Sequence, residues 1–331
     1  MSYLQAFVIA LVQGVTELFP VSSLGHSVLI PAWIGGSWQT LVTQSSQASS
    51  ETSFYLAYIV ALHCATALAL LWFFRADWAR IIRGLLASLL RALRERHLAI
   101  EGTDERLAWM IVLATIPVGL TGVALEHTFR TIFAKPAAAA VFLFINGLVL
   151  LAAERLRRAR PPGQVPAEPV SAQAGNPPGA HAKRAGGRQL AEIRAAQTSD
   201  ARIARIARLS FRDSLYVGLL QITALFAGIS RSGVTMAGGL WRGLDHEDAA
   251  RFAFLLATPP ILAAGVLKLP SLAGTAGAHI HGQILLGVVV TAITAYLSVR
   301  FLLRYFQTRT LTPFAIYCLA LGAASIIRFA I

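Results

Sequence analysis

Hydrophobic residues arrive in this chain in long blocks, not in the short periodic pattern of a soluble helix or strand. Six blocks, at 54 to 74, 107 to 125, 137 to 153, 252 to 268, 283 to 299 and 311 to 328, are 17 to 21 residues long and nearly free of charge. Each predicts a helix able to cross a hydrocarbon core about 30 Å thick. Two further apolar stretches, 4 to 34 and 211 to 243, are interrupted by Gly, Ser and Pro at VQGVTELFPVSSLGHS and AGISRSGVTMAGG. Broken backbone survives at membrane depth only where protein or a water-filled cavity satisfies the freed groups. Both stretches are therefore predicted as re-entrant helix hairpins, giving an all-α polytopic membrane protein with six transmembrane helices and two re-entrant pairs.

Composition strengthens that reading. The 331 residues are 56% hydrophobic and 14% charged, against about 25% charged for an ordinary soluble domain. The net charge of +13 would suggest nucleic acid in a soluble protein, but the basic residues fall between the apolar blocks. Arg75, Arg80, Arg83, Arg91, Arg94, Arg96 and Arg106 follow the first block, residues 154–212 alone contribute +8, and Arg300, Arg304 and Arg309 follow the fifth. These segments are expected on the cytoplasmic side, beside anionic lipid. Residues 36 to 53 and 270 to 282 carry no Lys or Arg, which places them and both termini on the opposite side. No nucleic-acid partner is expected. Cys64 and Cys318 lie inside apolar blocks and read as small hydrophobes, without a disulfide. The N-terminus MSYLQAFVIALVQG lacks a basic start and a cleavage site, so the first segment is expected to stay in the mature chain.

The stretch from Pro161 to Ala180 is rich in Pro, Gly and Ala and cannot pack a core. After it, Arg202, Arg205 and Arg208 interleave with Ile203, Ile206 and Leu209, the spacing of a basic amphipathic helix lying on the membrane. Shifting the chain against itself by 208 positions pairs Leu11 with Leu219, Gln13 with Gln221, Ser22 with Ser230, Gly25 with Gly233, Trp33 with Trp241 and Gly35 with Gly243. Ser27 pairs with Thr235 in the same register. Each copy holds one broken hairpin and three spans, an odd number, so the second copy is predicted upside down relative to the first. The organisation is then a first repeat at 1–153, a cytoplasmic basic insert at 154–210 and an inverted second repeat at 211–331. In such architectures the broken helices meet near the midplane and build the binding site.

The polar residues inside the breaks carry the candidate chemistry. Gln13 and Glu17 are one helical turn apart on one face, and an ionisable group embedded in a membrane segment is functional by default. Pro20 ends the helix, and Ser22, Ser23 and His26 crowd the turn that follows. In the second copy Arg231 sits among Ser230, Ser232, Gly233 and Thr235. Small residues let backbone amides approach a ligand, hydroxyls donate, a helix N-terminus favours anions, and Arg offers a planar fork to phosphate oxygens. The plainer reading of the pair is that Arg231 and Glu17 neutralise one another. His63, within the first block, lines the cavity or is a satisfied core histidine. Asp245, His246, Glu247 and Asp248 read as a helix start, not a metal site. No P-loop or H-E-x-x-H sequence occurs.

QGVTELFPVSSLGH resembles the (E/Q)xxxE and PVSSxGH signature of the undecaprenyl-diphosphate phosphatase family, the membrane phosphatases of bacitracin resistance, and AGISRSGVT resembles that family's PGxSRSGxT. The resemblance implies hydrolysis of undecaprenyl diphosphate to the monophosphate carrier that cell-wall synthesis reuses. It also implies residence in the bacterial cytoplasmic (inner) membrane, a site open to the outer side, and a divalent cation, Mg²⁺ or Ca²⁺. Carried over by position, it makes Glu17, Ser23, His26 and Arg231 catalytic, with Glu17 the metal ligand. Ser22, Ser230, Arg231, Ser232, Gly233 and Thr235 then bind phosphate, with Gln13, Ser27 and Gln221 in support. Two positions depart from the signature. Gln13 removes one of two carboxylates that would flank a metal, and Ala227 stands where the signature has Pro.

On these residues, either Ser23 attacks phosphorus with His26 as base, or His26 activates water or attacks directly. The partners expected are a polyprenyl diphosphate and membrane lipid, with a homodimer left open. The rival is a polyprenyl-phosphate flippase or anion transporter, since inverted repeats with broken helices are also a transporter architecture; a structural scaffold leaves the embedded polar motifs unexplained.

Overall fold

The computed structural model describes residues 1–47, 54–125, 135–159, 200–273 and 280–330, and no strand occurs among them. The first half contains α1 (Tyr3–Thr16), α2 (Ser23–Ile34), α3 (Gly36–Gln47), α4 (Phe54–Phe73), α5 (Arg75–Glu95), α6 (Thr103–Ala124) and α7 (Pro136–Arg158). A short helix at 200–206 leads into α8 (Phe211–Thr223) and α9 (Arg231–Trp241), then α10 (His246–Ala273), α11 (His281–Tyr305) and α12 (Thr312–Ala330). Five of these, α6, α7, α10, α11 and α12, are long and apolar enough to cross a bilayer, and α4 with its bent continuation brings the number to six. The chain is a multi-pass helical membrane protein. The stretch 161 to 180 lies outside the described residues.

Local sequence explains where the short helices begin and stop. Ser2 caps α1, accepting from Gln5 N at 3.1 Å, while Gln5 Oε1 accepts from Ser2 N at 2.8 Å. Ser210 and Asp213 form the same reciprocal box at α8, 208 positions on. α1 has 14 residues and α8 has 13, which at about 1.5 Å per residue is some 20 Å, short of a bilayer core.

Packing crosses between the halves. α1 lies along α11 and α8 along α6, while α7 pairs with α12 and α4 with α10. Each half of the chain thus lends its first helix to the other. Polar contacts fix the register: Thr291 donates to Ala10 O at 3.0 Å on one side, and Ser214 and Gln221 donate to Met110 O and Ala114 O on the other. The core between them is filled by Tyr58, Leu62, Leu70, Met110, Phe252 and Phe254, all fully buried.

Two segments differ from expectation. The basic stretch after α4 is not a loop: the chain turns by 87° at Phe74 into α5, which leaves Ile82, Leu86, Leu89, Leu90 and Leu93 exposed. The helix at 200–206, expected to lie on lipid, instead buries Ile203 and Ile206, with Leu209 just beyond it also buried, within the protein. Its arginines decide this. Arg202 meets Glu247 at 2.6 Å and Arg205 grips Asp248 with two hydrogen bonds of 2.6 and 3.0 Å, so the acidic start of α10 turns the helix inward. As expected, that acidic cluster is a helix start, with Asp245 Oδ1 accepting from Asp248 N.

Candidate active site

The two breaks, 17–22 between α1 and α2 and 224–230 between α8 and α9, are tied to each other. Ser22 has φ +69°, one of two non-glycine residues with positive φ among those described. This strained conformation, of a kind found at functional turns, lets its Oγ accept from Gly25 N at 3.2 Å in its own helix and from Gly228 N at 3.1 Å in the other break. Gly228 has φ +114°, and a Cβ there would lie 2.6 Å from Leu143 N, so only glycine fits. From the other side Ser230 Oγ accepts from Gly233 N at 3.1 Å, while Ser232 Oγ donates to Phe19 O at 3.2 Å. Asn146, fully buried on α7, clasps both: its Nδ2 donates to Pro20 O and its Oδ1 accepts from Ser230 N, each at 3.0 Å.

Glu17 lies at the end of α1 with its side chain 6% exposed. Its Oε2 accepts from Gln13 Nε2 at 2.9 Å and from Ser23 Oγ in a short hydrogen bond, and His63 Nε2 approaches it to 3.3 Å. Arg231 opens α9 and interacts electrostatically with Glu17. Its Nε and Nη1 are buried and have no hydrogen-bond acceptor in the protein. A buried guanidinium with open donors is costly unless an anion meets them. Carboxylate and hydroxyl thus share a hydrogen bond, with the guanidinium within electrostatic reach of the carboxylate.

His26 is placed differently. Its Nδ1 lies 2.7 Å from Ser22 O and its Nε2 2.7 Å from Tyr317 OH, and the two rings stack with centroids 5.7 Å apart. Since the carbonyl only accepts, Nδ1 carries the hydrogen and Nε2 accepts from the tyrosine. It makes no hydrogen bond to Ser23 or Glu17. The hydroxyls assigned to phosphate are engaged within the protein: those of Ser22, Ser230 and Ser232 join the breaks, and Thr235 Oγ1 donates to Arg231 O at 2.7 Å. Ser27 Oγ, Gln13 Oε1 and Gln221 Oε1 are buried without a partner. Among the described residues, no group of three or more His, Cys, Asp or Glu side chains is arranged to hold a metal. The oxygen donors at hand are Glu17 and, beside it, the unpartnered Gln13 Oε1, a set that suits a hard cation completed by phosphate and water.

The sequence model of the family described as Bacitracin resistance protein BacA matches residues 6–324. The chain belongs to this family. An undecaprenyl-diphosphatase 2 of Frankia alni is 56% identical over 355 aligned positions, covering 100% of this chain and 99% of that protein. An undecaprenyl-diphosphatase of Mycolicibacterium paratuberculosis is 52% identical, covering 100% and 98%, and an undecaprenyl-diphosphatase 2 of Burkholderia ambifaria is 39% identical, covering 95% and 92%. Three residues of this BacA-family site escaped the sequence motifs: Asn146, Tyr317 and the role of His63. Asn146 is a polar amide inside the block 137 to 153, a signal for an interhelical hydrogen bond but not for its partners.

Proposed function

We propose that this BacA-family protein is an undecaprenyl-diphosphatase, hydrolysing undecaprenyl diphosphate to undecaprenyl phosphate and inorganic phosphate. That activity returns the lipid carrier to cell-wall synthesis and gives bacitracin resistance. The observation that carries the reading is Arg231, whose Nε and Nη1 are buried without an acceptor, within electrostatic reach of a carboxylate that accepts from Ser23. An anion carrier or flippase would use the guanidinium, but has no use for a serine hydroxyl already bonded to a carboxylate. The full-length similarity to proteins named undecaprenyl-diphosphatase points the same way.

In this mechanism the Arg231 fork binds the non-bridging oxygens of the terminal phosphate and neutralises their charge in the transition state, where phosphoryl transfer depends on positioning and electrostatics. Ser23 Oγ attacks the terminal phosphorus as its proton passes to Glu17 Oε2. The bond from that phosphorus to the bridging oxygen breaks, and undecaprenyl phosphate leaves with the proton returned by Glu17. Water then attacks the phosphoserine phosphorus and gives its proton to the ionised Glu17, which passes it to Ser23 Oγ as the serine P–O bond breaks and inorganic phosphate leaves. His26 holds the start of α2 against Tyr317, and the serines of both breaks build the cradle. A Mg²⁺ or Ca²⁺ taken by Glu17 and Gln13 Oε1 would add positive charge at the phosphates.

The architecture we infer is the inverted repeat, with α1–α2 and α8–α9 as re-entrant pairs, each too short to span. Their sites meet in the membrane and open to the outer side, where the first pair has its ends. Phosphate release by the purified protein from a polyprenyl diphosphate tests the chemistry. Ser23→Ala and Arg231→Ala are each expected to lose at least about 100-fold in turnover. Undiminished hydrolysis by Ser23→Ala would remove serine as nucleophile, and by Arg231→Ala would remove the cradle.

A further inference from the structure

α4 reaches the first broken pair at three places. Tyr55 donates to Ser27 O on α2 at 3.0 Å, Tyr58 donates to Ala6 O on α1 at 2.6 Å, and His63 meets Glu17 in the break between them. The tyrosines bond only to backbone, so they set where the pair sits. His63 alone of the three engages a side chain of the reacting pair. Of the donors around Glu17 Oε2, Gln13 and Ser23 belong to the broken pair itself, and His63 comes from outside it.

The imidazole is itself held. Nδ1 lies 2.8 Å from Ile59 O, one turn back on α4, and a carbonyl can only accept, so Nδ1 carries a hydrogen, and in the imidazolium form Nε2 carries the second and donates to the carboxylate. All three contacts converge on Oε2, whereas Oε1 accepts no hydrogen bond among the described residues. A carboxylate gripped at one oxygen from two sides cannot swing away without giving up all three. α4 also packs against α10 and α11, so the grip is referred to the body of the molecule and not to the turn that carries Glu17.

We propose that His63 is a positioning residue for phosphoryl transfer: anchored on α4, it locks the Glu17 carboxylate in the orientation in which Oε2 receives the Ser23 proton. The inference rests on the reading of Glu17 and Ser23 as the reacting pair. It concerns a residue outside both sequence motifs and distinct from His26, which faces Tyr317.

Steady-state hydrolysis of a polyprenyl diphosphate by the full-length protein in detergent tests it. His63→Leu is expected to lower kcat by about 10- to 100-fold, the usual loss when an orienting partner is removed, with KM changed by less than about threefold, because Arg231 still binds the phosphates. His63→Gln, whose amide can donate to the same oxygen, is expected to recover most of that loss. If His63→Leu does not accumulate, His63→Asn, polar but too short to reach Oε2, takes its place. Wild-type kcat in the leucine or asparagine variant overturns the proposal, as does a loss shared equally by kcat and KM that glutamine fails to rescue. Glu17→Gln is measured alongside. Wild-type turnover there defeats the reading of the reacting pair, whereas an inactive Glu17→Gln beside a fully active His63→Leu defeats only the role of His63.

Discussion

Arg231 shows what burial does to a single side chain. With Nε and Nη1 enclosed and unmet, the guanidinium is arranged for a planar, two-oxygen acceptor more than for a point charge. Arg231→Lys keeps the charge but loses the fork. We expect it to lower kcat/KM for a polyprenyl diphosphate by about 10- to 100-fold, from the loss of one or two charge-assisted hydrogen bonds; turnover equal to wild type would show that charge alone suffices. Glu17 and Arg231 stand out in the sequence because ionisable groups in apolar blocks are rare, and Ser23 only through its neighbours in the break. His63 does not stand out, since a lone histidine in a spanning block looks the same whether it packs or grips a carboxylate. His26 misled in the opposite sense: its neighbours in sequence suggested Ser23, but the ring is turned to Tyr317, 291 positions away.

At the scale of elements, the site depends on how tightly two broken helices are bound together. Asn146 on α7 holds Pro20 O and Ser230 N at once, so Asn146→Ala breaks both hydrogen bonds, leaving Ser230 N unpaired and Pro20 O with only the weak Cys318 Sγ donor at 3.8 Å. A buried group left unpaired costs about 1–3 kcal/mol, and we expect a lower melting temperature in detergent together with a fall in kcat, since both breaks lose register. Gly228→Ala is expected to be at least as damaging, because φ +114° and the nearness of Leu143 N leave no room for a methyl group. Light-scattering or fluorescence melts of the purified variants check both, and unaltered melting of Asn146→Ala would mean that water replaces the amide. The breaks themselves were readable from Pro, Gly and Ser interrupting apolar runs. The course of α5 was not, because its arginines fix a side of the membrane but not an 87° turn. Nor was the inward face of the helix at 200–206, whose partners Glu247 and Asp248 lie over 40 residues on and are brought there only by the tertiary fold.

Across the whole molecule, the cross-packing of α1 on α11 and of α8 on α6 makes the site a joint product of both halves. Glu17 comes from the first half of the chain and Arg231 from the second, so on the proposed mechanism neither half holds the whole site. The same arrangement makes the side from which substrate is reached a testable prediction. The first pair begins at Ser2 and ends at Ile34, beside α3, in a segment without Lys or Arg, whereas α5 carries Arg75, Arg80, Arg83, Arg91 and Arg94. The positive-inside rule predicts α5 on the cytoplasmic side and α3 on the other. Thr40 on α3 and Arg94 on α5 are both exposed and suit labelling. In a protein with Cys64 and Cys318 replaced by alanine, Thr40→Cys is expected to react with a membrane-impermeant maleimide in intact cells, and Arg94→Cys only after permeabilisation. The reverse pattern would place the mouth of the α1–α2 pair on the cytoplasm. The enzyme would then act on lipid diphosphate at the inner leaflet, and the +13 charge would have to be explained by something other than orientation.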